Sequence, residues 1–206
     1  MTPFDGFLHD LDKLYATRRP AGAAKVRLRV LGSVALMLQA DYNRGTKDGD
    51  VLESAPINQA IKAELLGLGG KGTALATRHD LYLDIVAGGI LFLPGATVYH
   101  PLPELSAALA CFDVEVMDIQ DACVTKLKRF NANDQADIAA MTRLGKLDHA
   151  RFLGRFISAI DYCRGQAFSD DYPNIVGRFH QVERDIFLVT ETHIDLMGRR
   201  PDVAYK

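Results

Sequence analysis

Three short stretches hold residues able to handle a phosphate and a divalent cation. "RGTKDGDVLE" (44–53) sets Asp48 and Asp50 one residue apart, "LYLDIV" (81–86) contains Asp84, and "VLGSVALML" (30–38) places Gly32 and Ser33 ahead of an apolar run. Side chains at i and i+2 of a strand share one side, so Asp48 and Asp50 would jointly face a hard, oxygen-seeking ion such as Mg²⁺. With Asp84 on a neighbouring strand, the three carboxylates could hold two ions, which activate an attacking hydroxyl and stabilise a departing pyrophosphate. A glycine and a serine at a helix start add backbone N–H groups, the positive end of the helix dipole and a hydroxyl, all suited to a phosphate.

The aspartate pair alone decides little, because Asp10 and Asp12 form a second Asp-x-Asp in the same chain and short motifs recur by chance. A solvated turn is the plain alternative for Asp48 and Asp50. Asp84 is harder to explain that way: a charge inside an apolar strand is costly to bury unpaired, so it faces a cleft, meets a cation or stands on an edge strand. Ser33 could equally cap its helix, a role compatible with phosphate binding. Arg44 either binds phosphate or braces the loop beneath the aspartates.

The elements that must position these groups follow from pattern. Phe4, Phe7, Leu8, Leu11, Leu14 and Tyr15 recur at helical spacing behind Thr2 or Asp5 as a cap, ending near "RRPAG". "KVRLRV" alternates as a half-buried strand does, stops at Gly32-Ser33 and gives way to a helix over "SVALMLQAD". "DGDVLES" reads as a strand and "APINQAIKAELLGLGG" as a helix closed by glycines. "GTALATRHDLYLDIVAGG" is expected to be two strands joined by a turn at Arg78, His79 and Asp80. One or two further strands are expected in "ILFLPGATVYH", and another in "FDVEVMD". From Asp118 onward four segments favour helices, the last running through "YPNIVGRFHQVERDIFLVTETHI" with Ile175, Phe179, Val182, Ile186 and Val189 on one stripe. The division expected is an α/β core over 1–117 and a helical portion over 118–206, closing on a loose tail, "GRRPDVAYK".

A chain of 206 residues, 48% hydrophobic and 24% charged, is long enough to bury a substantial core. Its net charge of -2 excludes a generic nucleic-acid coater, although Arg18, Arg19, Lys25, Arg27 and Arg29 cluster, as do Lys126, Lys128 and Arg129. Such clusters read as solvated surface or as a local phosphate-facing patch. Three scattered cysteines argue against a disulfide framework and fit a cytoplasmic location. The six histidines show no close pair for zinc. No secretion signal or membrane-length apolar stretch is evident, so no membrane partner is expected.

In this order, Gly-Ser at a helix start, Asp-x-Asp and a third carboxylate on a later strand, the chain resembles the nucleotidyltransferase superfamily of polymerase-beta-like fold. The form Arg44-x-Thr46-x-Asp48-x-Asp50 is most similar to the branch containing the abortive-infection type IV (AbiEii/MenT-like) toxins and related bacterial nucleotidyltransferases. "DACVTKLKRFNANDQADIAAM" resembles a further element of that branch, a lysine followed by an acidic pair, on Lys126, Asp134 and Asp137. The resemblance spans roughly residues 26–142. Two departures stand out: the 14 residues between Ser33 and Asp48 form a long spacer, and Gly49 replaces a more usual aliphatic residue and lowers strand propensity.

The resemblance implies an α+β fold, a small mixed β-sheet core with packed helices followed by a C-terminal helical portion. It implies an Mg²⁺-dependent enzyme that moves an NMP from an NTP such as ATP to an acceptor hydroxyl, with two ions held by Asp48, Asp50 and Asp84. Gly32, Ser33, Arg44 and Lys126 would bind the nucleotide, with Thr46, Asp134 and Asp137 in support. An RNA acceptor, in particular a tRNA 3′ end, and a toxin with an antitoxin partner are implied on the same ground. Two other readings stay open: a non-catalytic nucleotide- or partner-binding module, and a transferase acting on a small molecule or a protein. Oligomeric state is not legible.

Overall fold

The structure is a computed structural model that describes residues 2–20, 22–164 and 171–196; the tail "GRRPDVAYK" lies outside the described residues. The fold is α+β, a five-stranded mixed sheet with helices packed on it and helices following. The chain forms two compact units, one from Met1–Leu91 and Val98–Ala122, the other from Phe92–Thr97 and Cys123–Lys206.

In the first unit, α1 (Pro3–Ala16) begins at Thr2, whose side chain accepts from the Asp5 N–H while Asp5 accepts from the Thr2 N–H. This reciprocal capping satisfies two otherwise orphaned donors. Phe4, Phe7, Leu8, Leu11 and Tyr15 are buried, whereas Leu14 is exposed and leaves the expected stripe. β1 (Val26–Val30) buries Val26, Leu28 and Val30 and leads into α2 (Gly32–Gln39). β2 (Asp48–Leu52) is followed by α3 (Gln59–Gly69), which is capped by Asn58 and closed at Gly70.

The hairpin expected over "GTALATRHDLYLDIV" is half wrong. Ala74–His79 is a helix, α4, because Thr73 accepts from the Ala76 N–H at its start and Asp80, in a left-handed conformation at φ 47°, stops it. The second expected strand is present as β3 (Tyr82–Val86) with Asp84 inside it. In "ILFLPGATVYH" only one short strand forms, β4 (Tyr99–Pro101), after a 3₁₀ turn at Gly88–Ile90. A short helix, α5 (Pro103–Ala108), precedes β5 (Phe112–Met117).

The sheet order is β3-β2-β1-β5-β4, with β1–β5 and β2–β3 parallel and β1–β2 and β4–β5 antiparallel. One face carries the hydrophobic core, in which Leu28, Val30, Val51, Leu83, Ile85 and Val114 meet residues of α1 and α3. Each such side chain is worth about 1.5–3 kcal/mol when fully buried. The alternation that fills this face obliges the intervening residues, Arg27, Arg29, Asp48, Asp50, Asp84 and Glu115, onto the other. There Arg27 and Arg29 both pair with Glu115, and Lys25 with Asp113; Arg19, over the Tyr15 ring, donates to the Cys111 carbonyl. Most of the first basic cluster is therefore committed within the fold.

From Cys123 the described part of the second unit is mainly helical. α6 (Ile119–Arg129) runs into it, followed by α7 (Ala132–Arg143), α8 (His149–Tyr162) and α9 (Tyr172–Val182). Phe152, Phe156 and Phe179 form its aromatic centre, Phe156 and Phe179 stacking at 4.3 Å between centroids. The last helix is shorter than expected: a π turn at Glu183–Phe187 and Leu188 at φ 57° end it, and residues 189–195 are extended or irregular. Buried Glu183 holds this end by accepting from the Thr192 N–H and hydroxyl and by pairing with His149. Ile186 is half-buried and Val189 exposed, so the expected stripe stops at Val182.

Candidate active site

Asp50 and Asp84 are register partners on the parallel pair β2–β3, and Asp48 is the partner of Tyr82. Partners in register point to the same face of a sheet, so Asp48, Asp50, Tyr82 and Asp84 form a square on the face opposite the core. Asp84 is exposed, Asp48 and Asp50 half-buried. Like charges directly opposite on paired strands are unfavourable unless something neutralises them. A hard cation is what such a donor set suits.

Gly49, between the aspartates, points the other way, and its identity has a steric cause. A Cβ there would lie 2.6 Å from Phe4 Cε2 of α1. The aromatic ring of the first helix thus occupies the space an aliphatic side chain at position 49 would fill.

The long spacer between Ser33 and Asp48 brings its two ends together. The Leu31 N–H donates to the Asp50 carbonyl at 2.9 Å. Gly32 has φ 69°, and a Cβ on it would overlap Asp50 Oδ2. Only glycine meets both demands, left-handed backbone and close approach to a carboxylate. Ser33 is the second residue of α2, not its cap; the cap position is Leu31, and no side chain caps this helix. An uncapped helix start directly beside the Asp50 carboxylate can seat a phosphate next to a cation.

The loop between α2 and β2 fastens both parts. Arg44 Nη2 donates to Ser33 Oγ at 2.7 Å, and Thr46 Oγ1 donates to Asp48 Oδ1 at 2.7 Å. A guanidinium only donates, so Ser33 Oγ acts as acceptor toward it. Arg44 thereby both braces the loop and places a positive charge at the helix start.

Lys126, Asp134 and Asp137 come together in the second unit. Lys126 is 5% exposed and lies 2.7 Å from Asp137 and 3.6 Å from Asp134, so it is not a surface lysine. Asp134 also accepts two hydrogen bonds from Arg129 and one from the Asn131 N–H, completing the cap of α7. Burial opposes the charge on Asp134, but the Arg129 hydrogen bonds, the Lys126 and Arg129 charges and the Asn131 N–H together hold its carboxyl below the usual value.

Tyr82 is a residue that sequence reasoning passed over. The alternation in "YLDIV" was the signal, since it puts Tyr82 on the side of Asp84. Burial first, then the negative charges of Asp48, Asp84 and Asp50, push its phenol up, a sign that one group feels all three carboxylates. Among the described residues no three His, Cys, Asp or Glu side chains close into a ready metal cluster, so the aspartates are aligned on one face without being drawn together. No helix among them is long and apolar enough to cross a membrane.

The Gly-Ser helix start packed on the Asp-x-Asp strand, with a third carboxylate in register beside it, keeps together the three elements on which the resemblance to nucleotidyltransferases rests. Residues 10–186 match the family described as nucleotidyltransferase of unknown function (DUF6036), and the chain belongs to that family. Neither the curated proteins nor the solved structures contain a match to it.

Proposed function

We propose that the protein transfers an NMP from an NTP to an acceptor hydroxyl, with Asp48, Asp50 and Asp84 holding Mg²⁺. The observation that carries this reading is the abutment of Gly32, at the uncapped start of α2, on the Asp50 carboxylate. It joins a phosphate seat to a cation-binding pair. The metal, when bound, supplies neutralisation of the triphosphate and a lowered barrier to ionising the acceptor hydroxyl.

The chain's own residues do the rest. The N–H groups at the start of α2, with the Arg44 charge behind Ser33, bind the phosphates, and Thr46 fixes the orientation of Asp48. Asp84, exposed on β3, takes the hydroxyl proton. The acceptor oxygen bonds to the α-phosphorus, the bond from that phosphorus to the bridging oxygen breaks, and pyrophosphate leaves with the electron pair. The resemblance alone assigns Lys126 to the triphosphate; its ammonium is buried against Asp137 and Asp134.

An RNA acceptor, the tRNA 3′ end in particular, and a toxin role with a cognate antitoxin rest on the resemblance to the abortive-infection branch. A second reading, a nucleotide-binding module without turnover, is favoured by the open arrangement of the three carboxylates. Labelled ATP, CTP, GTP and UTP offered with Mg²⁺ to total RNA, to protein and to small hydroxyl compounds separate these readings. Label in one class of acceptor with wild type and none with Asp48→Ala supports transfer and names the acceptor. NTP binding with no label anywhere selects the module.

A further inference from the structure

The sheet order sets a direction across the site. β2, with Asp48 and Asp50, lies between β1, which leads into the Gly32-Ser33 helix start, and β3, which pairs with β2 and forms the sheet edge. If the phosphates sit at the start of α2, pyrophosphate departs on the β1 side. An in-line displacement brings the attacking hydroxyl from the opposite side, which is over β3.

On β3, two residues before Asp84 and level with Asp48, stands the half-buried ring of Tyr82. The ammonium of exposed Lys71 lies 5.9 Å from its centroid. An aromatic ring with an exposed cation over it is the combination that binds a base by stacking and its phosphate by charge.

Resting on the transfer reading, we propose that Tyr82 and Lys71 form the acceptor subsite and that the acceptor is a nucleobase with its phosphate, at the end of an RNA strand or in a free nucleotide. The base stacks on the Tyr82 ring, Lys71 swings from the ring to the phosphate, and the hydroxyl comes to lie at Asp84. The subsite sets acceptor affinity and leaves NTP affinity alone.

The test is binding of a fluorescein-labelled seven-nucleotide single-stranded RNA to the full chain, followed by anisotropy with wild type, Tyr82→Ala, Tyr82→Phe and Lys71→Ala, alongside NTP binding and transfer. The expected result is a loss of about tenfold or more for Tyr82→Ala, from the value of one stacked base. Tyr82→Phe stays within about twofold of wild type, and Lys71→Ala weakens binding while flattening its salt dependence. NTP binding is unchanged in all three. Displacement of the RNA by AMP at comparable concentration points to a free nucleotide as the source, and resistance to AMP points to the RNA end; both keep the nucleobase subsite. Equal RNA binding by all four proteins, no RNA binding by wild type, or a fall in transfer rate with acceptor KM unchanged would overturn the subsite. Tyr82-dependent binding without any transfer by wild type would keep the subsite and remove the transfer reading instead.

Discussion

Asp50 and Asp84 face each other in register on two parallel strands, and the same face carries Asp48 beside Tyr82. The sheet aligns three negative charges that repel one another across the strand pair. Removing one charge should therefore help the apo fold and harm its response to metal. Asp84→Asn is expected to raise the apo stability by about 0.5 kcal/mol and to lose most of the thermal stabilisation that millimolar Mg²⁺ gives wild type. Melting curves with Mg²⁺ and with EDTA read both effects.

The glycine between the aspartates answers to Phe4. Gly49→Ala should cost about 1–3 kcal/mol through overpacking against the ring. Coupled with Phe4→Leu, the same change should cost clearly less than the sum of the two single variants, since the residues share one space. Urea unfolding of the four proteins of that cycle measures the coupling; simple additivity would show that the contact does not dictate the glycine.

Gly32 answers to a carboxylate. Gly32→Ala combines a left-handed backbone, costing about 1–2 kcal/mol, with overlap on Asp50 Oδ2. Transfer should fall by more than the loss of folded protein explains, because Asp50 must move to make room. Activity per folded molecule, with folding followed by circular dichroism, separates the two losses.

How much of this was legible depended on whether the cause was local. The alternation of β1, β2 and β5 and the helix before Gly70 follow from spacing and caps, and the positions of Asp50 and Asp84 follow from alternation once the two strands are adjacent. The helix Ala74–His79 was misread because "TALATRH" also alternates, while Ala and Leu are helix formers and Thr73 supplies a cap. The reason for Gly49 was not readable, since it lies 45 residues away in Phe4. The closeness of Ser33 to the aspartates depended on the path of a loop, which no periodicity encodes. The place of Tyr82 beside the aspartates is encoded in the alternation of "YLDIV", which puts it on the side of Asp84.

In the second unit, Lys126 and Asp137 form a buried ion pair. Lys126→Met should destabilise by about 3–5 kcal/mol by stranding a buried carboxylate, whereas Lys126→Met with Asp137→Leu should recover a large part of that loss. Chemical denaturation compares the two, and equal loss in both would assign the cost to packing.

Glu183 has its carboxyl held below its ordinary value of 4.5: burial opposes the charge, but the Thr192 hydroxyl, the Thr192 N–H and His149 outweigh it. A depressed folded value means that the contribution is complete above the unfolded value and fades as the pH falls through the folded one. Stability should thus lose this increment only below about pH 4.5, and Glu183→Gln should show a shallower acid limb. Melting temperature followed from pH 7 to pH 3 reads it.

The central claim, nucleotidyl transfer at the three aspartates, is met most directly by one paired-label measurement. ATP, CTP, GTP and UTP labelled on the α-phosphate and, separately, on the γ-phosphate are incubated with wild type, Asp50→Asn and Asp84→Asn in Mg²⁺ with cellular RNA and protein as acceptors. The predicted result is α-label retained on an acceptor and γ-label released as pyrophosphate, with wild type only. The γ-label found on an acceptor, or α-label transferred equally well by both variants, would contradict it.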